Sequence, residues 1–259
     1  MCSQIDPNIL HSEQFPRSNK YAPVWIFKNS MGPHSLWQTE FLVQPMDMKP
    51  GMRVLDLGCG KGITSVFLAR EFGVQVYAVD LWEAPDEKWE NAKAHGVEHL
   101  ITPIYADAKN LPFAPGFFDA IICIGSFMYF GQDEAYLENI LKFLRPSGQI
   151  GIIQTSYAKE PVDVIPEYIR EFLGDGQDGQ LWTWQTLSWW RSLWEKDGLV
   201  SIDVADTLPN GCALWLRYDK AYLTFRPPSS PEDDETDILE MDLESGEYMG
   251  FQRLISTKK

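Results

Sequence analysis

From Pro50 to about Thr155, short apolar runs alternate with segments whose apolar residues recur at helical spacing. MRVLDLG (52–58) is almost continuously apolar, the pattern of a strand covered on both faces. Ile63, Val66, Phe67, Leu68 and Phe72 then predict a helix over 63–72, with Gly73 at its C-cap. VQVYAVD (74–80) reads as a second strand and 86–95 as a helix stopped by Gly96. ITPIYAD (101–107) and FFDAIICIG (117–125) read as the third and fourth strands. An amphipathic helix follows over 133–144, capped by Asp133, and Pro146-Ser147-Gly148 turns the chain into a fifth strand at 149–155. Strands and helices alternating on this spacing form right-handed crossovers, and therefore a doubly wound, mainly parallel α/β sheet.

The rhythm breaks after Thr155. Residues 156–185 contain Pro161, Pro166 and a GDGQDG run with little periodicity, and are expected to form a lid inserted after strand five. Leu187, Trp190, Leu193 and Trp194 recur as on a helix, 200–208 reads as a strand, 212–225 as a helix and 250–258 as a closing strand. The first 49 residues carry YAPVWIF and MGPHSLW, too apolar for a solvated tail, and are expected to cap a main domain over 50–259.

Apolar residues make up 44% and charged residues 23%, which fits a folded chain and not a disordered one. The net charge of −15 opposes phosphate backbones and anionic lipid surfaces, so neither nucleic acid nor a membrane is expected as partner. Nine of the acidic residues lie in 232–247, which reads as a solvated loop and leaves −6 for the rest. No apolar run approaches the roughly 20 residues of a membrane span, and the N-terminus lacks the pattern of a secretory signal. Cys2, Cys59, Cys123 and Cys212 form no CxxC pair, so no disulfide framework or metal site is expected, and the chain reads as cytoplasmic.

The chemistry concentrates in VLDLGCGKG (54–62). Gly58, Gly60 and Gly62 allow a tight turn and close backbone approach to a ligand, just ahead of an electropositive helix N-terminus. Asp80, about 20 residues on at the end of the second strand, is placed to take ribose hydroxyls. A dinucleotide fingerprint wants a small residue where Ile63 stands, and Asp56 would repel a pyrophosphate. A ligand with a cationic end and a ribonucleoside end suits these residues better.

The segment resembles the class I S-adenosylmethionine-dependent methyltransferases. The resemblance covers roughly 50–155, with 250–258 closing the fold, and implies a Rossmann-like seven-stranded sheet whose last strand is antiparallel. VLDLGCGKG resembles the family's first motif, and by that likeness Gly58, Cys59 and Gly60 line the cofactor while Asp56 faces its amino group directly or indirectly. The same likeness assigns the ribose to Asp80, the adenine to Leu81, Asp107 and Ala108, and the methionine moiety to the backbone near Ile124. The N-terminal segment is similar to the entry region of small-molecule methyltransferases. The implied activity is in-line methyl transfer from S-adenosylmethionine to a small-molecule acceptor. An NAD-dependent oxidoreductase and a non-catalytic cofactor-binding module are the alternatives; the module predicts a blocked pocket around Tyr129 and the cap.

His34, between Pro33 and Ser35 in the cap, and Tyr129, just after strand four, are the candidates for an acceptor contact or base. Of the five tryptophans in 181–194, Trp190 and Trp194 are expected on the sheet and Trp182 and Trp184 in the lid. His95 and His99 lie away from the expected methyl group, and Cys59 reads as a small residue that fits its turn, not as a catalytic thiol.

Overall fold

The computed structural model describes residues 5–160, 165–174, 179–228 and 234–259. Seven strands are β1 (Arg53–Leu57), β2 (Gln75–Asp80), β3 (Ile101–Tyr105), β4 (Phe118–Ile124), β5 (Leu144–Tyr157), β6 (Val200–Thr207) and β7 (Met249–Lys258). They form one sheet in the order β3-β2-β1-β4-β5-β7-β6. Neighbours from β3 to β5 are parallel, and β7 runs antiparallel to both β5 and β6. The expected α/β class, the seven strands and the antiparallel last strand are all present.

Helices cover both faces. On one side lie α1 (Pro23–Asn29), α2 (Ser35–Val43), α3 (Ile63–Phe72) and α4 (Pro85–Ala94), which share a core with Val54, Val76, Ala120 and Ile122. On the other, α5 (Glu134–Leu141) and α7 (Leu187–Glu195) pack on Leu55, Leu57, Ile121 and Ile150. Successive residues of a strand face opposite sides, so a strand covered by helices on both reads as an unbroken apolar run. Trp190 and Trp194 are fully buried against Phe127 in the second layer. Asp133 caps α5, accepting from the Ala135 amide at 3.0 Å.

Two expectations need correction, the start of strand five and the acidic loop. The helix before strand five ends at Leu141, and β5 begins at Leu144, which pairs with Phe118. The Pro146-Ser147-Gly148 segment is therefore an irregular stretch of the strand itself, with Ser147 at φ 58°. Residues 156–185 contain α6 (Glu167–Leu173), which buries Ile169 and Leu173; 161–164 and 175–178 lie outside the described residues. The acidic run is not a solvated loop: α9 (Thr236–Ser245) occupies it and packs on α8 (Gly211–Phe225), although 232 and 233 lie outside the described residues. Leu239 is buried and Leu243 partly so, an i, i+4 pair hidden among the carboxylates. Asp242 in that run is itself buried, accepting from the Tyr168 hydroxyl and the Tyr248 and Met249 amides at 2.7–3.0 Å.

Candidate functional site

β1 ends in a left-handed turn at Gly58, whose φ is 71°. A Cβ there would stand 2.0 Å from Ser126 Oγ. That hydroxyl donates to the Leu57 carbonyl at 3.2 Å and so ties the glycine loop to the end of β4. Gly62, also left-handed at φ 79°, starts α3, and a Cβ on it would meet Lys88 at 3.3 Å. The loop is thus held open beneath the α3 N-terminus by two positions that admit only glycine comfortably.

Asp80 closes the other side. Its Oδ2 accepts from the Gly60 amide at 2.8 Å, and its Oδ1 from the Trp82 and Glu83 amides at 2.8 and 3.0 Å. A carboxylate offers about four lone-pair sites, so one acceptor position remains, on Oδ2. Asp107 follows β3 and uses Oδ1 for the Lys109 amide at 2.8 Å.

A cavity of about 310 Å³ sits in this corner of the sheet, lined by Gly58, Cys59, Gly60, Asp80, Leu81, Asp107, Ala108 and Ile124. Eight of the nine residues expected around a cofactor therefore meet at one cavity. Asp56 is the exception. It lies beneath the loop, 1% exposed, with Oδ2 accepting from the Thr64 and Ser65 hydroxyls at 2.5 and 2.6 Å and Oδ1 without a partner among the described residues. Burial pushes its carboxyl up to about 6, against the two hydroxyl hydrogen bonds that pull it down. Asp56 fixes the start of α3 and does not reach the cavity. Cys59 lines it but is no nucleophile: burial, with the Asp56 charge adding to it, holds the thiol well above its ordinary range.

A second cavity, of about 530 Å³, lies beside the first. Met31, Ser35, Ile124, Gly125 and Tyr129 line both, so the two spaces share a wall at the carboxyl end of β4. Tyr129 therefore stands at the junction, its hydroxyl pushed up by partial burial. Trp184 lines the second cavity, whereas Trp182 is exposed and lines neither.

His34 is not in either of these spaces. It caps α2, its Nδ1 accepting from the Trp37 amide at 3.2 Å, and its ring lies flat on the Trp37 indole with centroids 4.0 Å apart. Burial pushes it down to about 3, so it is neutral at physiological pH and faces packing instead of substrate. His95 packs on Trp25 with centroids 4.2 Å apart, and His99 is exposed.

Sequence reasoning missed the α8 contribution to the second cavity, which is Trp215, Tyr218, Asp219, Tyr222 and Leu223. The signal was present. Asp219 lies four residues from Trp215 and three from Tyr222, an acidic residue on the apolar stripe of a helix. Glu235, the residue before α9, lines the same space.

A family model described as a methyltransferase domain matches residues 54–148, the stretch from β1 into β5 that carries the glycine loop, Asp80 and Asp107. Glycine/sarcosine/dimethylglycine N-methyltransferase of Actinopolyspora halophila is 32% identical over 106 residues, 40% of this chain and 19% of that protein. Methyltransferase GfsG of Streptomyces halstedii is 29% identical over 186 residues, 70% of this chain and 66% of that one. The chain thus spans less than two thirds of the length of either relative. Among solved structures, Haemonchus contortus phosphoethanolamine N-methyltransferase 2 in complex with S-adenosyl-L-methionine superposes with a TM-score of 0.71 at 20% identity, over 97% of this chain and 59% of that one.

Proposed function

The chain belongs to the class I S-adenosylmethionine-dependent methyltransferases, and from that premise we propose that it moves a methyl group from S-adenosylmethionine to a small-molecule acceptor. The observation that carries the reading is the pair of cavities meeting at Met31, Ile124, Gly125 and Tyr129. One has the glycine loop and two carboxylates of a nucleoside site. The other is large enough for a small organic molecule and opens where a non-catalytic module would be filled. The residues fit the nucleoside: Gly58 leaves the space a side chain would take, Asp80 keeps one acceptor position, and Asp107 Oδ2 is uncommitted to the local turn.

When bound, the sulfonium of the cofactor supplies a methyl carbon open to in-line displacement. The protein's part is alignment and exclusion of water. In this reading Asp80 holds the ribose, Leu81, Asp107 and Ala108 hold the base, and the Gly58–Gly60 backbone and Ile124 hold the amino-acid end at the shared wall. The N-terminal segment around Met31 and Ser35 acts as a cap, because both residues line both cavities, and the segment around α6 acts as a lid, because Phe172 and Leu173 line the acceptor side. Tyr129 is positioned to contact the acceptor, but with its hydroxyl pushed up it is not a ready base. We assign the protein to the reducing cytoplasm, on the three buried free thiols Cys59, Cys123 and Cys212; no helix among the described residues is long and apolar enough to cross a membrane.

The test is parallel calorimetric titration with S-adenosylmethionine, S-adenosylhomocysteine and NAD, followed by a methyl-transfer screen over small molecules. Micromolar binding of the first two and none of NAD is expected. Binding of NAD alone overturns the reading.

A further inference from the structure

The second cavity has one sign of charge. Among the described residues that line it are two carboxylates, Asp219 and Glu235, and no Lys, Arg or His. Around them stand the aromatic rings of Trp184, Trp215, Tyr218 and Tyr222. Asp219 Oδ2 is buried and has no hydrogen-bond partner among the described residues. Leaving a carboxylate oxygen unpaired away from water is costly, so the site as built needs either a proton or a cation there.

The geometry points to an amine acceptor: a cationic nitrogen held against Asp219 and Glu235, with its apolar body among the aromatic rings of α8 and Trp184. This deepens the methyl-transfer reading and rests on it. Carboxylates and aromatic faces together recognise ammonium groups, by charge and by the ring quadrupole. The same lining argues against acceptors bearing phosphate or carboxylate, because among the described residues that line it no cation balances them and two carboxylates would repel them. Glu235 and Asp234 both push the Asp219 carboxyl up, burial being the largest cause, to about 8, while a hydrogen bond from Trp215 pulls it down. Glu235 is raised mainly by its own burial, again against Trp215. Both carboxyls therefore ionise less readily than in water, and a cationic guest would favour their charged form.

The chemistry balances. The ammonium proton passes to the ionised Asp219 carboxylate and on to solvent. The freed nitrogen lone pair then forms the N–C bond while the C–S bond breaks with its electron pair going to sulfur, so positive charge moves from sulfur to nitrogen.

The full chain, first saturated with S-adenosylhomocysteine, is titrated calorimetrically with benzyltrimethylammonium, phenethylamine, 2-phenylethanol and phenyl phosphate. The two cations should bind at least about tenfold more tightly than the alcohol, and phenyl phosphate most weakly. Benzyltrimethylammonium keeps its charge at every pH, so its affinity should rise between pH 6 and 9 as Asp219 ionises. Asp219→Asn and Glu235→Gln should each weaken the cations about tenfold or more without changing S-adenosylhomocysteine affinity. That affinity, with a melting curve, also verifies folding, and the wild-type pH series stands if either variant fails to fold. Equal or tighter binding of the alcohol or the phosphate, flat pH dependence, or no binding of either cation overturns the inference alone. Failure of S-adenosylhomocysteine to bind overturns the underlying reading as well.

Discussion

Asp80→Asn keeps the shape of the side chain and removes its charge, and its consequences follow from the three amides that the carboxylate holds. Gly60 donates to Oδ2, and Trp82 and Glu83 donate to Oδ1, leaving one lone pair on Oδ2 for a ribose hydroxyl. An asparagine has one acceptor oxygen. If that oxygen stays on Trp82 and Glu83, its NH2 group confronts the Gly60 amide and cannot accept from the ribose. If it turns to Gly60, the other two amides lose their partner. The Trp82 turn is exposed, so water replaces its bond at small cost, whereas the ribose bond is charge-assisted and worth about 1.5–3 kcal/mol. The dissociation constant of S-adenosylhomocysteine should therefore rise roughly 10- to 150-fold. Calorimetry with 5′-methylthioadenosine and its 2′- and 3′-deoxy analogues separates a ribose contact from collapse of the loop. The wild type should discriminate against at least one deoxy analogue, and Asp80→Asn should lose that discrimination. Affinity within threefold of wild type, or discrimination retained in the variant, refutes the placement of the ribose.

Gly58→Ala forces a Cβ to within 2.0 Å of Ser126 Oγ at a φ of 71°; a loss of about 2 kcal/mol or more in chemical unfolding is expected, partly relieved by Ser126→Ala in the same chain. His34→Ala removes the α2 cap and the stack on Trp37, so it should cost about 1–2 kcal/mol of stability and leave S-adenosylhomocysteine affinity unchanged by titration. Asp56, raised from 3.8 to about 6 by burial, binds its proton more tightly folded than unfolded. Its contribution is complete below about pH 4 and is lost as pH rises through about 6, worth up to roughly 3 kcal/mol. Melting curves from pH 4 to 7 should accordingly fall more steeply for the wild type than for Asp56→Asn; parallel curves would contradict the assignment.

The sheet and its cofactor corner were legible because their signals are local. The run 54–58, the glycines at 58, 60 and 62, and the aspartates at 80 and 107 each sit in or just after one strand end, and Gly58, Gly60, Asp80 and Asp107 line one cavity. For Asp56, a carboxylate two residues before the glycines suits either a direct or an indirect role at the cofactor. On a strand, however, its side chain points into the sheet face, where Thr64 and Ser65 take it up. His34 misled because a Pro-His-Ser turn suits both a substrate contact and a helix cap, and only packing against Trp37 decides. The second cavity was legible only in part: Tyr129, Trp184 and the N-terminal segment line it as expected, whereas the α8 residues and Glu235 come from parts of the chain distant from these and without a shared motif. The helix in the acidic run hid behind its own charge.

The sheet's strand order carries a consequence for how the chain reaches its fold. β7 is the last strand made and lies inside the sheet, between β5 and β6. Until residues 249–258 have been synthesised, β5 and β6 each present an unpaired edge, and that of β5 is rich in isoleucine. Such edges recruit strands from other chains. The nascent polypeptide therefore passes through an interval, about 40 residues long between the end of β6 and the start of β7, when the sheet is incomplete and adhesive. Closure then depends on contacts about 100 residues apart in the case of β5 and β7, a slow search on the scale of small domains. Chaperone capture during synthesis, and aggregation of chains stalled before β7, are the costs built into this topology.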